Sequence, residues 1–498
     1  MVMIIRDKYR AKYASFAKRR GPLLFRHAVP QSDSNAPAPT SNKVLKWLVG
    51  LLVTIFVFYS FTIRAGHCWG DDYALYLHHA KNIAIGIPYA NTGYIADPDY
   101  PRYSVRMTPP VFPLVLAPVY KIFGMNLTAF KMVEVSFFVA TLVLVFVLFR
   151  EYLSSTYTLS LVAILGFSPF FWRLKDDVLS DIPFMFFVLL TVLLVTRHMP
   201  PALCGFAAYL AIGTRTVGIV LLPTILIHEL LWNKRITRYP IILVLTSAVL
   251  LLLQPLMLHG DPASSYRDLF QPTLQTVWAN LWRYPLSLGS FWLTPQLWLS
   301  GVMYAVVLLA VVKGACGQQP PFWRVFLCFY GATLLIWPGN QDLRYLMPLL
   351  PLFLFYACRG MERLGKRATI AICSLLLVGY LLQYRAQNFS VIAESTGRET
   401  FVAMCSYVNS NTMPTDRIVF NRARSLSLFA DRPASPYHQP TNPDDLWKYF
   451  NDQDIRYVVM SSLFEKDRNV LAPILERHKT ELDLKYQNQE FLVYQIRK

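Results

Sequence analysis

The chain has 498 residues, 54% of them hydrophobic and 14% aromatic, and only 16% charged, against about 25% in soluble domains. Many apolar runs reach the ~20 helical residues needed to cross a ~30 Å hydrocarbon core, which excludes an ordinary soluble fold. The formal net charge is +18, but the excess lies in the N-terminal tail and in short loops between apolar runs, the positive-inside pattern; no recognition motif accompanies it, so nucleic acid is not an expected partner.

Residues 1–42 read as a basic, unstructured cytoplasmic tail, rich in Pro, Ser, Asn and Ala towards its end. The first span, 44–63, is too long and too far from the start for a cleaved signal peptide and reads as a retained anchor. A long first outer loop, 65–126, follows. It opens on Trp69-Gly70-Asp71-Asp72-Tyr73-Ala74, and the spacing after it predicts a surface helix over 73–85. Two adjacent carboxylates beside a bilayer require a cation, a metal or water; alternatively, Asp71 caps the helix that follows it. Further along the loop come Arg106 and then Thr108-Pro109-Pro110-Val111-Phe112-Pro113, which opens a short helix suited to the interface.

The remaining spans are 127–148, 156–171, 182–195, 202–212, 217–231, 240–258, 297–312, 325–337, 345–358 and 368–382. Eleven crossings from an inside N-terminus put Arg or Lys in every inside loop and leave the C-terminus outside. The second acid-rich turn, with Asp176, Asp177, Ser180 and Asp181, then falls outside, as do Arg215, Arg344 and a second long loop, 259–296. Asp176 and Asp177 could simply pair with Arg173 and Lys175. Ser180-Asp181 before Ile182-Pro183 could be a helix cap, and Arg215 and Arg344 could be interface anchors. Residues 386–498 alternate helical and strand patterns and predict a small extracytoplasmic α/β domain, with helices over 399–408, 444–451 and 466–478 and strands over 417–420, 456–460 and 491–496. The expected architecture is mainly α: a polytopic helical bundle, 43–385, with that domain appended. The seven cysteines show no metal-finger spacing, and only Cys68 and Cys405 fall outside.

Carboxylates from separate loops can hold a divalent ion or act as a general base. Arginine at a membrane face suits a phosphate. Together they suit an amphiphile with an isoprenoid tail, a phosphate and a sugar. A transporter or flippase of such an amphiphile is the alternative; it calls for ionisable pairs in mid-membrane and internal repeats, and the spans carry few polar residues beyond Glu134 and Gln254.

At Trp69-Gly70-Asp71-Asp72, Pro109-Pro110-Val111-Phe112-Pro113-Leu114, Ser180-Asp181-Ile182-Pro183-Phe184, Gly213-Thr214-Arg215-Thr216 and Arg344-Tyr345-Leu346-Met347-Pro348 the sequence resembles the GT-C glycosyltransferases that take sugar from a polyprenyl phosphate. It is most similar to the branch of protein mannosyltransferases and lipid A aminoarabinose transferases. The resemblance spans roughly residues 44–384. It implies an inverting transferase acting on a lipid, glycan or protein acceptor at the outer membrane face. Asp71 stands for the first-loop base or metal ligand, with Asp72 beside it. Asp181 stands for the second-loop acid, with Asp176 and Asp177 as the other candidates. Arg106, Arg215 and Arg344 stand near the lipid phosphate. If a divalent metal (Mg or Mn) takes part, Asp71 and Asp181 are its implied ligands.

Overall fold

The computed structural model describes residues 41–96, 107–258, 272–316, 321–339, 342–392, 395–439 and 443–497; the tail before residue 41 and Arg106 lie outside the described residues. Apart from the start of the helix Asn42–Phe61, the features described below belong to the compact unit formed by residues 47–498.

Each run expected to span is helical. The helices are Asn42–Phe61, Leu127–Phe149, Ser155–Gly166, Asp181–Thr196, Pro201–Thr214, Leu221–Asn233, Arg238–Leu258, Leu297–Ala315, Pro321–Ile336, Leu350–Leu364 and Lys366–Arg385. Six helical segments among the described residues are long and apolar enough to cross a bilayer, and the others are shorter. Leu252, Leu256, Leu309 and Leu381 are exposed along such helices, as expected of a surface that lipid covers in a multi-pass membrane protein. The helices end where backbone chemistry ends them: the Asn126 side chain accepts from the Ala129 N–H at 3.1 Å, and Arg150 follows the apolar run. Helices Leu297–Ala315 and Leu350–Leu364 cross closely. A Cβ on Gly314 would lie 1.9 Å from the Tyr356 carbonyl oxygen, and one on Gly360 1.8 Å from that of Ala310, so only glycine lets the two backbones approach this far.

The first loop contains the two predicted helices, Asp72–Ile85 and Val111–Phe123. The C-terminal domain is α/β. Its sheet runs β2-β1-β3-β5-β4, from β1 (Arg417–Val419), β2 (Ala434–Ser435), β3 (Ile455–Ser461), β4 (Leu482–Gln487) and β5 (Phe491–Ile496). β2, β1 and β3 pair in parallel, while β5 is antiparallel to β3 and β4. Strand side chains alternate between faces. Tyr457 and Val459 join Phe401, Met404 and Leu426 on one face, whereas Val458 joins Leu446, Phe450 and Leu475 on the other, together with Ile455 beyond a register shift in the β1–β3 pairing. The helix Ala423–Ala430 and strands β2 and β4 were not predicted from the sequence pattern.

The first loop is stitched into this domain. Trp69 is buried in the domain's core, with ring centroids 5.0 Å from Phe401, 5.2 Å from Phe464 and 6.4 Å from Phe491. The backbone of 93–95 extends the sheet: Ala434 N–H donates to Gly93 O and Ile95 N–H to Ala434 O, both at 2.9 Å. The elbow between Phe61 and Trp69 runs beside 390–392 and 395–397, with bridges at Ala65–Val391 and Cys68–Ser395. Gly66 makes this possible, because its φ is +78° and a Cβ would meet Ser395 Oγ at 2.3 Å.

Candidate active site

Asp71 precedes the helix Asp72–Ile85, but its side chain makes no cap bond to that helix. It caps a different one. Its carboxylate accepts from Ser425 N–H and Ser425 Oγ, both at 3.2 Å, and from Arg424 N–H at 3.4 Å. These donors belong to the first turn of Ala423–Ala430, where N–H groups lack intrahelical partners. Burial pushes the Asp71 carboxyl above its usual range, and the Arg424 and Arg422 guanidiniums and the two N–H groups oppose that rise. The neighbouring Asp72 faces Arg424 Nη1 at 3.3 Å and Arg344 Nη2 at 3.8 Å.

Asp181, the first residue of Asp181–Thr196, is 2% exposed. Arg215 Nη1 donates to one of its oxygens at 2.6 Å, and Arg344 Nη2 and Nε donate to the other at 2.8 and 3.2 Å. The Ser180 side chain does not cap the helix. Its hydroxyl meets Tyr76 OH at 2.8 Å and so ties the second acidic turn to the first loop. Arg215 sits where helix Pro201–Thr214 breaks into extended backbone, its guanidinium 5.3 Å from the Tyr345 ring centroid. Arg344 lies on the short helix Leu343–Leu346. The result is an alternating row, Arg215–Asp181–Arg344–Asp72–Arg424, with Asp71 beside its last member. Three acids face three arginines, drawn from five separate parts of the chain.

The other two acids of the second turn have different partners. Asp176 is fully buried and accepts from the Arg64 N–H at 3.0 Å, Arg64 Nε at 2.7 Å and Lys175 Nζ at 2.8 Å, with Lys131 Nζ at 3.9 Å. The lysines also donate to main-chain carbonyls just past Phe61, Lys175 to Thr62 O at 2.8 Å and Lys131 to Arg64 O at 2.7 Å. Cations at a helix C-terminus satisfy its carbonyls and its dipole, so this cluster pins the elbow that carries the first loop. The sequence pairing of Asp176 with Lys175 is found, while Arg173 gives its carbonyl to Arg64 Nη2 and its guanidinium interacts with the charge of Asp177. Asp177 accepts from the Cys68 thiol at 3.0 Å. Cys68 and Cys405 are both free thiols.

Asp181 fits poorly as a metal ligand, because the Arg215 and Arg344 guanidiniums on its two oxygens would repel a divalent ion, whereas Asp71 Oδ2 keeps room for one more partner. Among the described residues, the potential ligand atoms that lie within 4.8 Å of one another belong to His67, Cys68 and Asp177. His67 does not fit either: its Nδ1 donates to Cys68 O at 2.9 Å and its Nε2 accepts from Val178 N–H at 2.9 Å, leaving no ring lone pair for an ion.

Sequence reasoning missed Arg424, Ser425 and the Tyr76–Ser180 link. One signal was available. Arg422 and Arg424 flank the start of a helix, where its dipole disfavours cations, and such a placement makes sense when carboxylates arrive from elsewhere.

Comparison with known proteins bears on the fold. Residues 107–259 match the family described as dolichyl-phosphate-mannose-protein mannosyltransferase. No curated protein matches by sequence. Among solved structures, the chain is similar to ArnT from Cupriavidus metallidurans bound to undecaprenyl phosphate, at 14% identity and a TM-score of 0.57, covering 92% of this chain and 98% of that one. The apo form of that ArnT gives 12% identity and a TM-score of 0.60, covering 91% and 98%. The oligosaccharyltransferase of Archaeoglobus fulgidus in its apo form gives 12% and 0.56, covering 84% of this chain and 70% of that one.

Proposed function

From a chain with the GT-C fold, in the branch of protein mannosyltransferases and ArnT, we propose an enzyme that moves a sugar from a polyprenyl-phosphate carrier to a lipid, glycan or protein acceptor at the outer membrane face. The observation that carries this reading is Arg344, which binds Asp181 at 2.8 Å and faces Asp72 at 3.8 Å, joining the two acidic loops in one row.

The chemistry follows from the row. The polyprenyl tail stays in the bilayer, and the donor phosphate lies against Arg215 and Arg344, whose planar guanidiniums suit phosphate oxygens. Asp71 takes the proton of an acceptor hydroxyl or amine. The acceptor oxygen or nitrogen attacks the anomeric carbon in line, and the bond from that carbon to the phosphate oxygen breaks. Its electron pair leaves with polyprenyl phosphate, and the anomeric configuration inverts. Charge growing on the leaving phosphate is met by arginines already aimed at it, so little reorganisation accompanies the step. The phosphate is a stable leaving group, which reduces the need for the separate general acid of glycoside hydrolysis.

The test is Asp71→Asn in purified protein supplied with an undecaprenyl-phosphate-linked, radiolabelled sugar and a membrane lipid extract. Transfer should be abolished while the protein still purifies as a folded species. Full activity in this variant would remove Asp71 from the mechanism. Labelled donor that crosses sealed vesicles without covalent transfer would favour a flippase.

A further inference from the structure

Resting on that reading, we propose that Arg424 and Ser425 of the C-terminal domain are positioning residues of the transfer reaction, holding Asp71 and Asp72 where the acceptor meets them. The active site is then complete only with this domain seated.

Three contacts place the acid pair by reference to the domain. Trp69 is embedded in the domain core. Asp71 takes three donors from the first turn of Ala423–Ala430. Asp72 takes the Arg424 side chain at 3.3 Å, while the Arg424 guanidinium carbon lies 4.7 Å from the Tyr94 ring centroid, itself on the loop strand paired with Ala434. Arg424 thus touches Asp71 through its backbone and Asp72 through its side chain, and a single residue sets the relation between the two.

The geometry also orients the base. A carboxylate offers about four lone-pair directions. Ser425 N–H and Oγ both donate to Asp71 Oδ1, and Arg424 N–H donates to Oδ2. The remaining capacity is on Oδ2, which is the oxygen presented to the acceptor proton. Without these donors, burial would favour the protonated acid, which cannot act as a base.

Activity in the full-length protein, with the labelled undecaprenyl-phosphate sugar and lipid extract, separates positioning from mere folding. Arg424→Ala and Ser425→Ala should lower kcat on the order of 10- to 100-fold, the scale of a small misplacement of a reacting group. Donor KM should change little, and the acid limb of the kcat–pH profile should move to higher pH. Arg424→Lys should recover part of the rate. Lys81→Ala removes an ion pair to Asp431 at 3.1 Å that joins the same two helices away from the acids, and it should leave kcat unchanged. Folded Arg424→Ala with the wild-type pH profile and kcat would overturn the proposal, as would a change confined to donor KM. A second arm needs no transfer: Asp71→Asn should speed hydrogen exchange at the amides of residues 424 and 425 in otherwise folded protein. Unchanged exchange there overturns the interlock. If the wild-type enzyme transfers no sugar yet exchange responds, the interlock stands and the proposed function fails.

Discussion

Replacing Asp181 by alanine probes the charged row at its centre. The carboxylate is 2% exposed and receives three charge-assisted hydrogen bonds, at 2.6, 2.8 and 3.2 Å. Alanine leaves Arg215 and Arg344 without their shared counter-charge. Removing one partner of a buried ion pair costs about 3–5 kcal/mol. The two arginine side chains keep 16% and 26% exposure, so the lower end, about 3 kcal/mol, is expected. Asparagine retains one acceptor oxygen and should cost about 1–2 kcal/mol. The double variant Asp181→Ala/Arg344→Ala should cost less than the sum of the single changes, with a coupling of about 1–3 kcal/mol. Denaturant unfolding in mild detergent, followed by tryptophan fluorescence, measures the wild type and each variant. Wild-type stability in Asp181→Ala, or strict additivity in the cycle, would refute the idea that this carboxylate holds the arginines.

Three further outcomes are expected. In the proposed mechanism Asp71 acts in its ionised form, and burial raises its carboxyl, so kcat should fall as pH drops through a value above that of an ordinary carboxylate, which a pH–rate profile measures. Asp467 is buried beside Tyr437 and Ser461, and burial pushes it from 3.8 to about 6. A raised carboxyl contributes stability that is fully present below its unfolded value and lost as pH rises through its folded one. The C-terminal domain should therefore lose up to about 3 kcal/mol between pH about 4 and 6, and Asp467→Asn should flatten that slope in thermal melts. Gly360→Ala would put a methyl group against the Ala310 carbonyl; overpacking of this kind costs about 1–3 kcal/mol, seen as a lower melting temperature and less monodisperse protein on size exclusion.

The helices and the α/β domain were legible because lipid and sheet each impose a period. The 127–148 run carries only two charged residues, Lys131 and Glu134, and Tyr457, Val458 and Val459 alternate between two cores. Asp181 was legible from its Ile-Pro-Phe context. Its separation from Asp176 was not, because both sit in one acidic turn; what distinguishes them is the three cations, Arg64, Lys131 and Lys175, that surround only Asp176. Asp71 carried the opposite difficulty. The local pattern offered a cap for the next helix, and the cap it makes is on a helix more than 350 residues further along. No local pattern encodes a contact of that separation. Arg424 was hidden for the same reason, in a segment whose own elements the sequence did not predict.

Trp69 also bears on biogenesis. Its aromatic neighbours, Phe401, Phe464 and Phe491, belong to the last part of the chain to be translated, and domains fold largely in the order in which they are made. The nascent first loop therefore waits, with its indole without a socket, through insertion of the later helices. The acid pair gains Arg424 and Ser425 as partners only once this domain has been made, so a ribosome that stops early leaves first-loop acids without the donors that hold them.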